Sequence, residues 1–199
     1  GKFLAADHWP QARPDLVILA KGIAAGYTPM GCVLASKEMV AAVAGAGGFM
    51  NGFTYFANPL SCAIGHAVLQ EVVEKNLIEN AARRGRQLKE RLEAIAGRSA
   101  IVGDVRGLGL LLAVELVADK ATQRQIPLEL QAPARLQAIG MEQGLALYSR
   151  RTSYGAYGDW VMVSPPLTVT EAEVDEIAEG LERVFAAYQA ELAAAGVLS

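Results

Sequence analysis

The sequence predicts an α/β fold, with short apolar strands alternating with amphipathic helices. Three observations carry this reading. The unbroken apolar run from Leu16 to Ala20 has the length of a strand. Leu60, Ile64, Val68 and Val72 recur at four-residue spacing behind Asn58-Pro59, a cap with proline at the first helical position. Further on, Thr170-Glu171-Ala172-Glu173 is a capping box ahead of a stripe made by Val174, Ile177, Leu181, Val184, Phe185, Tyr188 and Leu192.

In chain order, Asp15 to Lys21 reads as a buried strand, because its apolar residues run on without alternating. Met30 to Ala35 is a second strand after a Gly/Pro turn, and Ser36 caps a short helix through Val43. Gly45-Ala46-Gly47-Gly48 is a break, which Gly52 extends toward the helix at Asn58. A second helix repeats Leu77, Ala81, Gly85, Leu88, Leu92 and Ile95 and closes at Gly97. Its charge run, from Arg83 to Glu93, reads as a solvated face and not as a binding patch. Val105-Arg106-Gly107-Leu108-Gly109 is a glycine-bearing bend before a strand from Leu110 to Val117. Asp119 to Pro133 reads as irregular, Ala134 to Gln143 as helix, and Leu145 to Tyr148 and Trp160 to Ser164 as strands. Composition changes little along the chain. The long charged helix marks the boundary, near residue 75, between residues 1–75 and a smaller α+β unit over 76–199.

The bulk properties exclude several function classes. With 199 residues, 52% hydrophobic and 20% charged, the chain can bury a sizeable core. Its net charge of −3 and the absence of a basic stripe argue against a nucleic-acid partner. No apolar stretch approaches a bilayer span, and no charged leader precedes an apolar segment, so no membrane or secretory role is expected. Cys32 and Cys62 lack metal-ligand spacing and read as buried free thiols of a cytoplasmic protein. His66 falls on a helical face and reads as structural, and no metal is expected. The abrupt opening on Gly1-Lys2-Phe3 is what a piece of a longer protein would show.

Lys21 is the leading candidate for chemistry. It ends the apolar run, so it is expected at the interior or a cleft rim. A desolvated lysine loses proton affinity, and its neutral amine can attack a carbonyl to form a Schiff base. Three glycines in the next ten residues (Gly22, Gly26, Gly31) permit close backbone approach around it. The bland alternative is a lysine at a strand terminus that points into water. A P-loop is rejected because Lys21 precedes its glycines, and no G-x-G-x-x-G follows a strand. Gly52-Phe53-Thr54-Tyr55, just ahead of the helix at Asn58, offers a hydroxyl and free amides to an anion; its alternative is a plain surface loop.

Three motifs stand in one order: Leu19-Ala20-Lys21-Gly22, Gly26-Tyr27-x-Pro29-x-Gly31, and Gly52-Phe53-Thr54-Tyr55-x-x-Asn58-Pro59-Leu60-x-Cys62-Ala63. Together they resemble the class III pyridoxal-phosphate aminotransferases, with the omega-amino-acid:pyruvate and diamine transaminases as the nearer branch. Val105-Arg106-Gly107-Leu108-Gly109 and Ser164-Pro165-Pro166-Leu167-Thr168 resemble the C-terminal domain of that family, so the similarity runs over essentially the whole chain. The resemblance implies the C-terminal portion of an aspartate aminotransferase-like, fold type I transferase: the end of the large cofactor domain, then the small α+β domain. It implies that Lys21 holds pyridoxal 5'-phosphate as a Schiff base. It also implies that Phe53 and Thr54 reach across a homodimer to the phosphate of the neighbouring subunit's cofactor. Arg150 and Arg151 both match the place where the omega branch binds substrate carboxylate, and a guanidinium pairs bidentately with one. The implied reaction moves an amino group from an amine or omega-amino acid to a keto acid such as pyruvate.

The family's phosphate turn, ring-stacking aromatic and pyridine-pairing aspartate lie upstream of the matched segment and are not assigned in this chain. Asn51 and Phe53 stand where many relatives have histidine, and Thr152 to Asp159 is longer than in many relatives. The rival readings are an aminomutase or racemase of the same fold, needing no keto-acid acceptor, and a non-catalytic fragment that associates through strand edges.

Overall fold

The computed structural model describes residues 1–198, with the side chain of Tyr154 excepted. The chain divides into two compact units, residues 2–78 and residues 79–199, with Gly1 grouped with the second.

The first unit contains β1 (Leu16–Ala20), β2 (Gly31–Ala35), α1 (Lys37–Gly45) and α2 (Pro59–Glu74). β1 and β2 pair antiparallel from Leu16↔Ala35 to Ala20↔Gly31 and form a two-stranded sheet. Ser36 caps α1 through a bond from the Met39 amide, and Asn58 caps α2 through one from the Ser61 amide, as their residue types predict. The expectation that β1 is buried is corrected. Leu16 is exposed, as is Ile18 at 78%, and Val17 and Leu19 are half-buried. A continuous apolar strand needs cover on both faces, and a two-stranded ribbon gives β1 a single neighbour. The cysteines also differ from expectation: Cys32 is half-buried and Cys62 exposed. Cys62 lies one position past Ser61, off the face of α2, marked by Ser61 and Gly65, that packs against the β1–β2 connection.

The second unit is a four-stranded antiparallel sheet covered on one face by helices. Its elements are α3 (Leu77–Arg98, whose first two residues belong to the first unit), β3 (Val102–Leu108), β4 (Leu111–Leu116), α4 (Ala132–Glu142), β5 (Tyr148–Arg151), β6 (Asp159–Val163) and α5 (Glu171–Ala194). The strand order is β3-β4-β6-β5. Alternation along β4 and β6 buries Leu112, Val114, Leu116, Val161 and Val163 against Leu88 and Leu92 of α3, Leu136 and Ile139 of α4, and Leu181, Phe185 and Tyr188 of α5. The opposite face carries Arg106, Leu111, Tyr148 and Arg150, all exposed.

Two strands depart from the sequence reading. β3 was expected as a bend, yet Val105 to Leu108 pair in register with Val114 to Leu111. Gly107, at φ +132°, is what disguises it: a Cβ there would lie 2.1 Å from the Leu111 carbonyl oxygen, so the hairpin requires glycine. The strand expected at Leu145 to Tyr148 instead covers Tyr148–Arg151. Leu145 packs over Gly180 of α5 and Leu147 over Gly140 of α4, so these leucines serve the core and not a strand. The segment from Asp119 to Pro133 is less irregular than expected, with a 3-10 turn at Leu128–Leu130 and α4 beginning at Ala132.

The charge run on α3 is also only partly a solvated face. Arg84, Arg91 and Arg98 recur every seven residues and meet Glu171, Asp175 and Glu182 of α5 at 2.9, 2.8 and 2.5 Å. Hydrogen bonds from Gln87 and Arg91 hold the Asp175 carboxyl below the usual range, and Arg98 does the same for Glu182. Since both folded-state values are depressed, their contribution is complete above the unfolded carboxylate range, about pH 4. It is lost as pH falls through the lower folded values. Acid titration is therefore expected to loosen the α3–α5 pairing below about pH 4, read as loss of amide-exchange protection along α5. A variant with Asp175→Asn and Glu182→Gln should lose that pH dependence.

Candidate active site

Lys21 opens a 3-10 turn (Lys21–Ala24) at the exit of β1, and its backbone is left-handed, at φ +53°. That conformation is uncommon for a residue with a side chain, and here it turns the chain sharply out of the strand. The following segment is pinned to α2 at three places. Ala24 is fully buried, the Thr28 and Ser61 hydroxyls bond at 2.9 Å, and Gly65 leaves room for Met30, whose sulfur would lie 2.5 Å from a Cβ at that glycine. The backbone behind Lys21 is thus held by α2. The amine itself is exposed, and among the described residues it makes no hydrogen bond or ion pair. The sheltered lysine expected from the sequence is corrected for the same reason as β1: the ribbon supplies no second layer.

Phe53 and Thr54 lie in a turn closed by the Phe56 amide on the Phe53 carbonyl at 2.9 Å, just before the α2 cap at Asn58. Phe53 is 75% exposed, and among the described residues the amides of Phe53, Thr54 and Tyr55 donate no hydrogen bond. Those amides and the Thr54 hydroxyl, close to the start of a 16-residue helix, are donors suited to a phosphate dianion. The unpartnered amine is a nucleophile for a carbonyl, and the unspent amides are donors for an anion. Both belong to the first unit, and no hydrogen bond or ion pair joins them among the described residues.

The two arginines are in the second unit and differ sharply. Arg151 faces the buried side. It pairs with Asp159 through Nε at 2.8 Å and through Nη2, which also donates to the Ile126 carbonyl at 2.6 Å. That bonding raises its pKa above the ordinary arginine value, with the Asp159 hydrogen bond as the largest cause. Arg150 is exposed on the open sheet face, with its guanidinium carbon 5.3 Å from the Tyr148 ring centroid. Among the described residues it makes no hydrogen bond or ion pair. A groove of about 400 Å³ passes Ser149, Arg150, Arg151 and residues 131–134. Sequence reasoning missed Tyr148, Asp159 and Trp160. Asp159, an acid at the start of an apolar strand, was the available signal.

Comparison with known proteins places these features in context. A family profile, Aminotransferase class-III, matches residues 1–185. An uncharacterized aminotransferase, YodT of Bacillus subtilis, is 34% identical over 194 residues, covering 96% of this chain and 44% of that protein. The chain therefore spans less than half the length of the curated relatives it matches. Among solved structures, a transaminase from the marine bacterium Virgibacillus superposes with a TM-score of 0.89 at 29% identity, covering 96% of this chain and 43% of its own. An amine transaminase from an uncultivated Pseudomonas species, solved in its PLP-bound form, superposes with a TM-score of 0.77 at 36% identity, over 87% of this chain and 38% of its own.

Proposed function

This chain belongs to the class III aminotransferases and has the fold of the C-terminal part of a fold type I transferase; from that premise we propose that it supplies the reacting lysine and the carboxylate-binding arginine of an amino-transfer enzyme. The donor is an amine or omega-amino acid and the acceptor a keto acid, with pyruvate the first to test. In this reading residues 1–75 end the large cofactor domain and residues 76–199 form the small domain. The enzyme acts as a cytoplasmic homodimer, with Phe53 and Thr54 serving the neighbouring subunit's site.

Pyridoxal phosphate, when bound, supplies the electron sink that lets an amino group move between carbons. The chain's own residues do the rest. Lys21 Nζ would hold the cofactor at its aldehyde end, and the same amine would carry a proton to and from the substrate carbon. The amides of Phe53 and Thr54 and the Thr54 hydroxyl would hold the phosphate of the neighbouring subunit's cofactor. Arg150 orients the substrate carboxylate, and Arg151, committed to Asp159, does not. The observation that supports this reading most is the unpartnered Lys21 amine at the exit of β1, on backbone pinned to α2. The experiment is borohydride reduction of the full-length protein with pyridoxal phosphate, followed by peptide mapping. The stable adduct is expected on Lys21, and an adduct confined to other lysines would overturn the reading.

A further inference from the structure

The open face of the second unit's sheet carries a small cluster that the family match does not account for. Alternation along β5 puts Tyr148 and Arg150 on the same face, and the antiparallel register sets Trp160 of β6 directly opposite Arg150. The Tyr148 and Trp160 rings stand 5.8 Å apart at 47°, and Arg150 lies over the Tyr148 ring. Glu115, the acid opposite Trp160 on β4, is taken by Arg106 at 2.6 Å. Arg150 is thus held by an aromatic face instead of a carboxylate. The difference is chemical. A carboxylate partner spends the guanidinium's in-plane N–H donors, whereas a ring beneath the plane leaves that edge free.

We propose that Tyr148 is a positioning residue for Arg150, holding the guanidinium over its ring with the donor edge free, so that the site favours acceptors bearing a carboxylate over plain aldehydes and ketones. This deepens the reading that Arg150 meets the substrate carboxylate, and rests on it. Tyr148 is half exposed, so its replacement empties no part of the core.

The test compares Arg150→Leu, Tyr148→Leu and Tyr148→Phe in the full-length holoenzyme, with pyruvate and with butanal as acceptors. Arg150→Leu is expected to raise KM for pyruvate by about 10- to 100-fold, the scale of hydrogen bonds to a charged group, and to spare butanal. Tyr148→Leu is expected to raise KM for pyruvate about 2- to 5-fold, the scale of an exposed cation–π contact, with kcat and the butanal KM unchanged. Tyr148→Phe keeps the ring and restores the pyruvate KM. A second readout needs no turnover: the dissociation constant of succinate, measured by titration calorimetry on the holoenzyme, should rise in the same order. If Arg150→Leu leaves pyruvate untouched, the carboxylate assignment fails and the proposal with it. If Arg150→Leu acts but Tyr148→Leu does not, or affects butanal equally, the assignment stands and the role of Tyr148 is overturned.

Discussion

Replacing Lys21 with alanine in the full-length protein is expected to lower turnover by about 100- to 10,000-fold, the range for removal of a positioned proton carrier. The fold should not respond. The amine is exposed and unpartnered among the described residues, so its removal breaks no contact that holds β1 or α2. The left-handed backbone at this position strains alanine about as much as lysine, because both carry a Cβ. Burial of Ala24 and the Thr28–Ser61 bond remain to hold the turn. Urea midpoint of the cofactor-free protein and turnover of the loaded one should therefore separate, with the first unchanged and the second collapsed. Lys21→Arg sharpens the result: it keeps a cation but lacks a primary amine, so it should be as inactive as alanine. Turnover within tenfold of the parent in either variant would remove Lys21 from the chemistry.

Local chemistry was legible in this sequence, and long-range cover was not. The caps at Ser36, Asn58 and Thr170 each bond as their residue types dictate, because a cap needs only its own first turn. The stripes of α3 and α5 were legible for a similar reason, since period alone assigns their buried faces. β3 was hidden because Gly107 and Gly109 imitate a bend, and their purpose shows once β4 lies alongside. β5 was misplaced because Ser149, Arg150 and Arg151 break the apolar pattern, while Leu145 and Leu147 satisfy it in another role. The site divides along the same line. Lys21 and Thr54 stand beside local signals, a strand exit and a helix start. Arg150 and Arg151 could not be told apart until the register set Asp159 across from Arg151 and Trp160 across from Arg150.

That register gives the second large effect. Asp159→Ala is expected to destabilise the second unit by about 3–5 kcal/mol, because it leaves the charge of Arg151 buried without its partner. Asp159 is fully buried and the Arg151 side chain 10% exposed, so water replaces few of the lost bonds. The damage reaches beyond one pair. Arg151 also donates to the Ile126 carbonyl, tying the segment before α4 to β5, and Ile126 is part of the core. The Tyr188 hydroxyl, buried and without a hydrogen-bond partner among the described residues, shares this environment: burial first, and then the charge of Asp159, push it up to about 12. Urea unfolding followed by hydrogen-exchange protection of the β5 and β6 amides should show the lowered midpoint. Replacing both partners by apolar residues, Arg151→Met with Asp159→Leu, should recover much of the loss, since no charge is then stranded. A cost below about 1 kcal/mol for Asp159→Ala, as for an exposed pair, would show that Arg151 reaches solvent and that β5 is held by its ladder and the leucines before it.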